Sequence, residues 1–186
     1  QALRATPLVA AHLSSTAQYS TAPRKTTVSR SPATGKVIAE YPYLTDAEAS
    51  KVVERSHTAF QSWKRTPHPV RADLMRAAAA VLRKRRDAFA DLMANEMGKP
   101  IKEGRAEVEK CALVCDYYAD NAAQFLAEEH IKTQYQESFV TFNPLGVVLI
   151  VMPWNFPFWQ VFRQAACSVS AGNSMLLKHA SNVFGC

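Results

Sequence analysis

The chain has 186 residues, 48% of them hydrophobic, and a formal net charge of +6. That length and apolar share allow a sizeable core in one domain or slightly more, and no apolar run nears the roughly 18 residues that a membrane span requires. Five of the 22 basic side chains (Arg4, Arg24, Lys25, Arg30, Lys36) lie in residues 1–39 with no acid before Glu40, which leaves 17 basic against 16 acidic groups in the rest. The body is therefore near neutral, which argues against a nucleic-acid surface.

The opening stretch QALRATPLVAAHLSSTAQYSTAPRK is rich in Ala, Ser and Thr, carries Arg and lacks acids. This is the composition of a mitochondrial transit peptide, with a plain basic extension as the alternative. Residues 1–27 are read as such a tail. Ser31-Pro32-Ala33-Thr34-Gly35-Lys36 is turn chemistry, and KVIAEYPYL after it reads as a short strand.

Thr45 to Glu48 forms a capping box that opens a helix with Ala49, Val52, Val53, Ala59, Phe60 and Trp63 on its apolar side. A second helix is expected from about Val70 to Met97, stopped by Gly98. Its basic run, Arg83 to Arg86, is read as a solvated face, with a phosphate site as the alternative. Pro100 suits the first turn of a third helix reaching about Ala127, with Tyr117 and Tyr118 in its core face. Cys111 and Cys115 fall on one face of that helix and read as core thiols of a reducing compartment, a metal or disulfide role being the alternative. QESFVTFNPLG then reads as a strand with a turn at Asn143-Pro144.

From Ser138 to Cys186 the only formally charged side chains are Arg163 and Lys178. Gly146–Met152 is a continuous apolar run, as expected for a parallel strand covered on both faces. A helix from Pro157 to about Ala171, a turn at Gly172-Asn173 and a second apolar strand, SMLLKHA, complete a βαβ unit. Asn155 lies just past the first strand and Lys178 at the end of the second, so both should face the crevice where open α/β sheets bind ligands. The alternatives are that Asn155 caps the helix and Lys178 snorkels to solvent.

These residues resemble a known family. Pro153-Trp154-Asn155-Phe156-Pro157 resembles the P-W-N-F-P motif of the NAD(P)-dependent aldehyde dehydrogenases, Ser31–Lys36 resembles N-P-A-T-G-K, and Glu96–Pro100 resembles E-T-G-K-P. Asn143–Gly146 precedes the strand as P-L-G does in that family. The likeness covers about residues 28–186, and the wording WQVFR and LLKHASN is most similar to succinate-semialdehyde dehydrogenases.

The resemblance implies an α/β fold, long helices followed by a βαβ unit of a doubly wound, Rossmann-like cofactor sheet. Residues 28–186 would form an incomplete cofactor-binding domain, with strand material at about 130–143 for a bridging or oligomerisation sheet. It implies Asn155 as the oxyanion-hole amide, Met152, Pro153 and Trp154 along the nicotinamide side, and Lys178 on the adenosine ribose. Ser181 stands where NAD-preferring members carry a Glu, which leaves NAD or NADP open as cofactor. Arg163 would bind the distal carboxylate of a semialdehyde acid, a structural pairing with an acid or a backbone carbonyl being the alternative.

The mechanism so implied is attack of a cysteine thiolate on the aldehyde, hydride transfer to the nicotinamide, and hydrolysis by a glutamate-activated water. Neither the G-Q-x-C nor the E-L-G-G string of that chemistry occurs in these residues, and Cys167 and Cys186 do not resemble the nucleophile. The second glycine-bearing cofactor loop is also missing. The expectation is an N-terminal portion of a longer enzyme that acts on a small aldehyde, binds no membrane, and forms a homo-oligomer at full length. The alternative is a truncated, non-catalytic paralogue serving as a binding or scaffold subunit.

Overall fold

The structure is a computed structural model and describes residues 24–186. The greater part of the tail reading therefore lies outside the described residues. The first element, β1 (Thr26–Arg30), has no counterpart in the sequence reading and begins inside the stretch assigned to the tail. It pairs antiparallel with β2 (Val37–Pro42), the strand expected after the Ser31–Lys36 turn.

Helix α1 (Asp46–Trp63) starts at the expected capping box: the Glu48 amide donates to Thr45 Oγ1 at 3.3 Å, and Glu48 Oε2 accepts from the Thr45 amide at 2.9 Å. Its apolar side is less covered than its sequence implies. Phe60 is buried and Val52 and Trp63 are half-buried, whereas Ala49, Val53 and Ala59 are exposed. The helix is tied down mainly by its C-terminal half, where Ser56 O accepts from Ser174 Oγ at 2.9 Å and Trp63 Nε1 donates to Val169 O at 2.9 Å.

The single helix expected over about 70–97 is two, α2 (His68–Lys84) and α3 (Arg86–Met97), broken at Arg85 with φ −103° and ψ 14°. The physical reason lies in the charge run. A continuous helix would put Arg86 one turn past buried Leu82, on the core face; the break turns it outward beside Asp87 at 3.4 Å. Arg83 is taken by Glu109 at 3.0 Å and Asp116 at 2.7 Å, so acids of the next helix answer this patch.

That helix, α4 (Ile101–Phe125), is the axis of the core. Val108, Cys111, Ala112 and Cys115 are buried against Ala79, Leu82, Met93, Phe158 and Ala166. Gly104 permits the close approach of α3, since a Cβ there would meet Ala90 Cα at 3.0 Å. Burial pushes the Cys111 thiol well up and the Cys115 thiol up to about 11, as for inert core groups. Tyr118 is partly buried, but Tyr117, expected in the core, stands 51% exposed with its ring 5.3 Å from that of Tyr118.

The strand expected from QESFVTFNPLG is reduced to β4 (Phe139–Val140), paired antiparallel with β3 (Glu129–His130). The βαβ unit is present as read: β5 (Val147–Val151), α5 (Pro157–Ser170) and β6 (Ser174–Lys178), with β5 and β6 parallel and Val151 opposite Lys178. Coverage of β5 on both faces does not hold among the described residues. Ile150 is buried, but Leu149 and Val151 on the other face are 66% and 65% exposed.

The α5–β6 turn is set by Gly172 at φ +92°, a conformation that favours glycine. A Cβ there would lie 2.5 Å from Nη1 of buried Arg71. Gly172→Ala is expected to destabilise the fold by about 1–3 kcal/mol from backbone strain alone, read as a lowered thermal midpoint; an unchanged midpoint would refute this account of the turn. Next in the turn, Asn173 Oδ1 accepts from the Gly146 amide at 3.0 Å and so fixes where β5 begins.

Candidate active-site loops

Two loops leave the carboxyl end of the β5–β6 pair. Residues 152–156 lead from β5 into α5, and residues 179–186 follow β6. They are stitched together at their base, where the Met152 amide donates to Lys178 O at 3.1 Å. Across the gap, His179 Nε2 lies 2.9 Å from Pro157 O, and the Ala180 amide donates to His179 Nδ1 at 2.8 Å. Because Nδ1 accepts, Nε2 carries the proton and donates to Pro157 O.

In the first loop Pro153, Trp154 and Asn155 are exposed and Met152 is half-buried. Helix α5 takes Phe156 as its N-cap with no side-chain cap bond, so Asn155 does not cap it. The Asn155 amide has no hydrogen-bond partner among the described residues. Its main chain, by contrast, is held: Lys99 Nζ donates to Asn155 O at 3.1 Å and lies 3.9 Å from the Phe156 ring centroid.

Lys99 in turn forms a buried ion pair with Glu107 Oε2. The other carboxylate oxygen, Oε1, accepts from the amides of Phe158 and Trp159, both at 2.9 Å. Glu107 is thus the true cap of α5, supplied from α4. With Lys99 and Glu107 only 8% and 4% exposed, the whole arrangement is shielded from water.

Lys178 and Ser181 are exposed in or beside the second loop, and Lys178 has no ion pair among the described residues. The loop offers ammonium, hydroxyl and amide groups at Lys178, Ser181 and Asn182 but no carboxylate. Such a donor set accepts a ribose hydroxyl and does not repel a ribose phosphate. Arg163 is exposed on α5, in the second turn, and likewise has no ion pair among the described residues, so the structural pairing considered for it is absent there. The structure therefore brings Met152 to Trp154, Asn155, Lys178 and Ser181 to one end of the sheet, while Arg163 joins none of them by a hydrogen bond.

Glu96, at the end of α3, holds the far end of the second loop. Its Oε1 accepts from Ser29 Oγ at 2.7 Å and the Gly185 amide at 3.1 Å, and its Oε2 from the Cys186 amide at 2.9 Å. Burial and this carboxylate push the Cys186 thiol well up, the opposite of an activated nucleophile. Cys167 is half-buried on α5, and no group of three metal-binding side chains is found among the described residues.

Lys99, Glu107, Glu96 and His179 were not singled out as site residues from sequence. One signal was available: Glu107 falls on the stripe Gly104, Val108, Cys111, Ala112, Cys115, where a carboxylate at a core position demands a partner.

A parallel βαβ pair with a free amide and a free ammonium at its carboxyl end has the layout of an α/β ligand-binding domain. The aldehyde dehydrogenase family profile matches residues 19–185, and the chain belongs to that family. It is 49% identical over 155 residues to a probable succinate-semialdehyde dehydrogenase [NADP(+)] of Synechocystis sp., covering 83% of this chain and 34% of that one. It is 39% identical over 159 residues to the succinate semialdehyde dehydrogenase [NAD(P)+] Sad of Escherichia coli, covering 86% and 34%. Among solved structures, succinic semialdehyde dehydrogenase of Streptococcus pyogenes in complex with NADP+ matches with TM-score 0.80 and 35% identity, over 84% of this chain and 35% of that one. The chain thus spans about a third of the length of the curated relatives it matches. Nothing in these comparisons favours the scaffold-subunit alternative.

Proposed function

We propose that this chain is the part of an NAD(P)-dependent aldehyde dehydrogenase that supplies the oxyanion amide and the first cofactor contacts, and that its substrate is succinate semialdehyde. The observation that carries the reading is Asn155: its side chain has no hydrogen-bond partner among the described residues while its main chain is fixed by a buried lysine. An amide N–H held in this way stabilises the aldehyde oxygen as negative charge grows on it, with no reorganisation at the moment of reaction.

Met152, Pro153 and Trp154 would line the nicotinamide side, and Lys178 and Ser181 the adenosine ribose. NAD(P)+, when bound, supplies a hydride acceptor. The open carboxylate position at Ser181 and the NADP(+) and NAD(P)+ in the relatives' names support use of either dinucleotide. The acid-free stretch 1–25, all but its last two residues outside the described ones, supports a mitochondrial address, and the hairpin β3–β4 with exposed Phe139 and Val140 supports a homo-oligomer.

Arg163 is assigned to the distal carboxylate of the substrate, because its guanidinium is exposed and has no acid beside it among the described residues. The test uses the enzyme expressed from its complete reading frame, assayed with succinate semialdehyde and with an uncharged aldehyde of equal length. Arg163→Ala should raise KM for the acid substrate by about 10–100-fold, the equivalent of one charge-assisted hydrogen bond, and leave the uncharged aldehyde nearly unaffected. Equal effects on both substrates would remove Arg163 from the site.

A further inference from the structure

The Glu96–Pro100 segment reverses the chain between α3 and α4, and Gly98 at φ +72° makes the reversal possible. Two oppositely charged side chains three residues apart are thereby driven inward, Glu96 at 2% exposure and Lys99 at 8%. They do not pair with each other. Lys99 reaches the loop after β5 through the Asn155 carbonyl, and Glu96 reaches the loop after β6 through the Gly185 and Cys186 amides.

We propose that this turn is a two-armed brace that sets the spacing between the two loops, with Lys99 as the positioning residue for the oxyanion loop and Glu96 as the positioning residue for the cofactor loop. The inference rests on the roles given above to Asn155, Lys178 and Ser181. Three features carry it. Both arms grip main-chain atoms, so they fix backbone position whatever the loop side chains are. Both arms are charged, and charge-assisted bonds are roughly twice as strong as neutral ones. And both are buried, where ionic groups gain a fold little over well-packed apolar residues of the same volume. A turn built for stability alone has no need of them; a turn that must hold two loops in register does.

A brace with separate arms predicts separate kinetic signatures. In the enzyme expressed from its complete reading frame, Lys99→Met should lower kcat by about tenfold or more, since displacements near 1 Å at a reacting centre cost up to 10²-fold, with the dinucleotide KM changed less than about twofold. Glu96→Gln should instead raise the dinucleotide KM and Kd by about tenfold, the equivalent of roughly one hydrogen bond, with kcat largely kept. Lys99→Met leaves the Glu107 charge buried without its partner and can fail to fold. The double variant Lys99→Met/Glu107→Gln removes that charge yet keeps an oxygen for the Phe158 and Trp159 amides, and its kcat should remain low.

Identical changes in kcat and KM from the two single variants would overturn the brace, as would wild-type kcat in a folded double variant. An unsubstituted enzyme that oxidises no aldehyde would instead sink the functional reading. Amide hydrogen exchange then decides the brace by itself. Lys99→Met should speed exchange at Phe158 and Trp159 and spare Gly185 and Cys186; Glu96→Gln should do the reverse. Exchange that rises both at the start of α5 and at the loop after β6 in either variant would overturn it.

Discussion

Asn155→Ala, made in the enzyme expressed from its complete reading frame, is expected to lower kcat by about 10²–10³-fold, the usual consequence of removing one oxyanion donor. KM for the aldehyde should move little, because the amide acts on charge that develops only as the reaction proceeds. The substitution should also leave the thermal midpoint nearly unchanged. The Asn155 side chain is exposed and has no hydrogen-bond partner among the described residues, and surface changes of that kind rarely exceed about 0.5 kcal/mol. Asn155→Asp sharpens the test: a carboxylate has the same shape but only acceptor oxygens, so it should be no better than alanine. A kcat within twofold of the parent for either variant would remove Asn155 from the mechanism.

The largest effect on stability is expected at Glu107. Glu107→Gln keeps the shape and an acceptor for the Phe158 and Trp159 amides but strips Lys99 of its counter-charge in a site where both side chains are nearly inaccessible. Leaving one member of a buried ion pair unmatched costs about 3–5 kcal/mol. The urea unfolding midpoint reports the loss, and adding Lys99→Met should restore most of it, because the pair removed together leaves no stranded charge. A single-variant cost below about 1 kcal/mol would mean that Lys99 is solvated in the fold, against its burial.

How much of this was legible in the sequence depended on how local each signal is. The Thr45–Glu48 capping box, the Gly98 stop and the βαβ unit rest on contacts within one or two turns or on an unbroken apolar run, and they were found where the pattern put them. The break at Arg85 was missed because good helix formers run through it, and only the packing of Leu82 against α4 makes Arg86 unacceptable on the inward face. Strand β1 is recognisable only through its pairing with β2, and TTVSR alone has little alternation. The site divides in the same way. P-W-N-F-P pointed to Asn155, but the ammonium that holds its main chain comes from Lys99, 56 residues before the Asn155 carbonyl it binds. No window of sequence spans that contact.

The cap on α5 also restricts where a dinucleotide can lie. In many doubly wound folds the first helix after a strand offers its bare amides and the positive end of its dipole to the cofactor's pyrophosphate. Here that seat is taken. The Glu107 carboxylate already accepts two of the first amides of α5 and places a negative charge at the helix start. A diphosphate brought to the same point would find fewer free donors and a repelling neighbour. The start of α5 is therefore a poor seat for the pyrophosphate of a dinucleotide, and any such group would have to rest on amides or cations elsewhere.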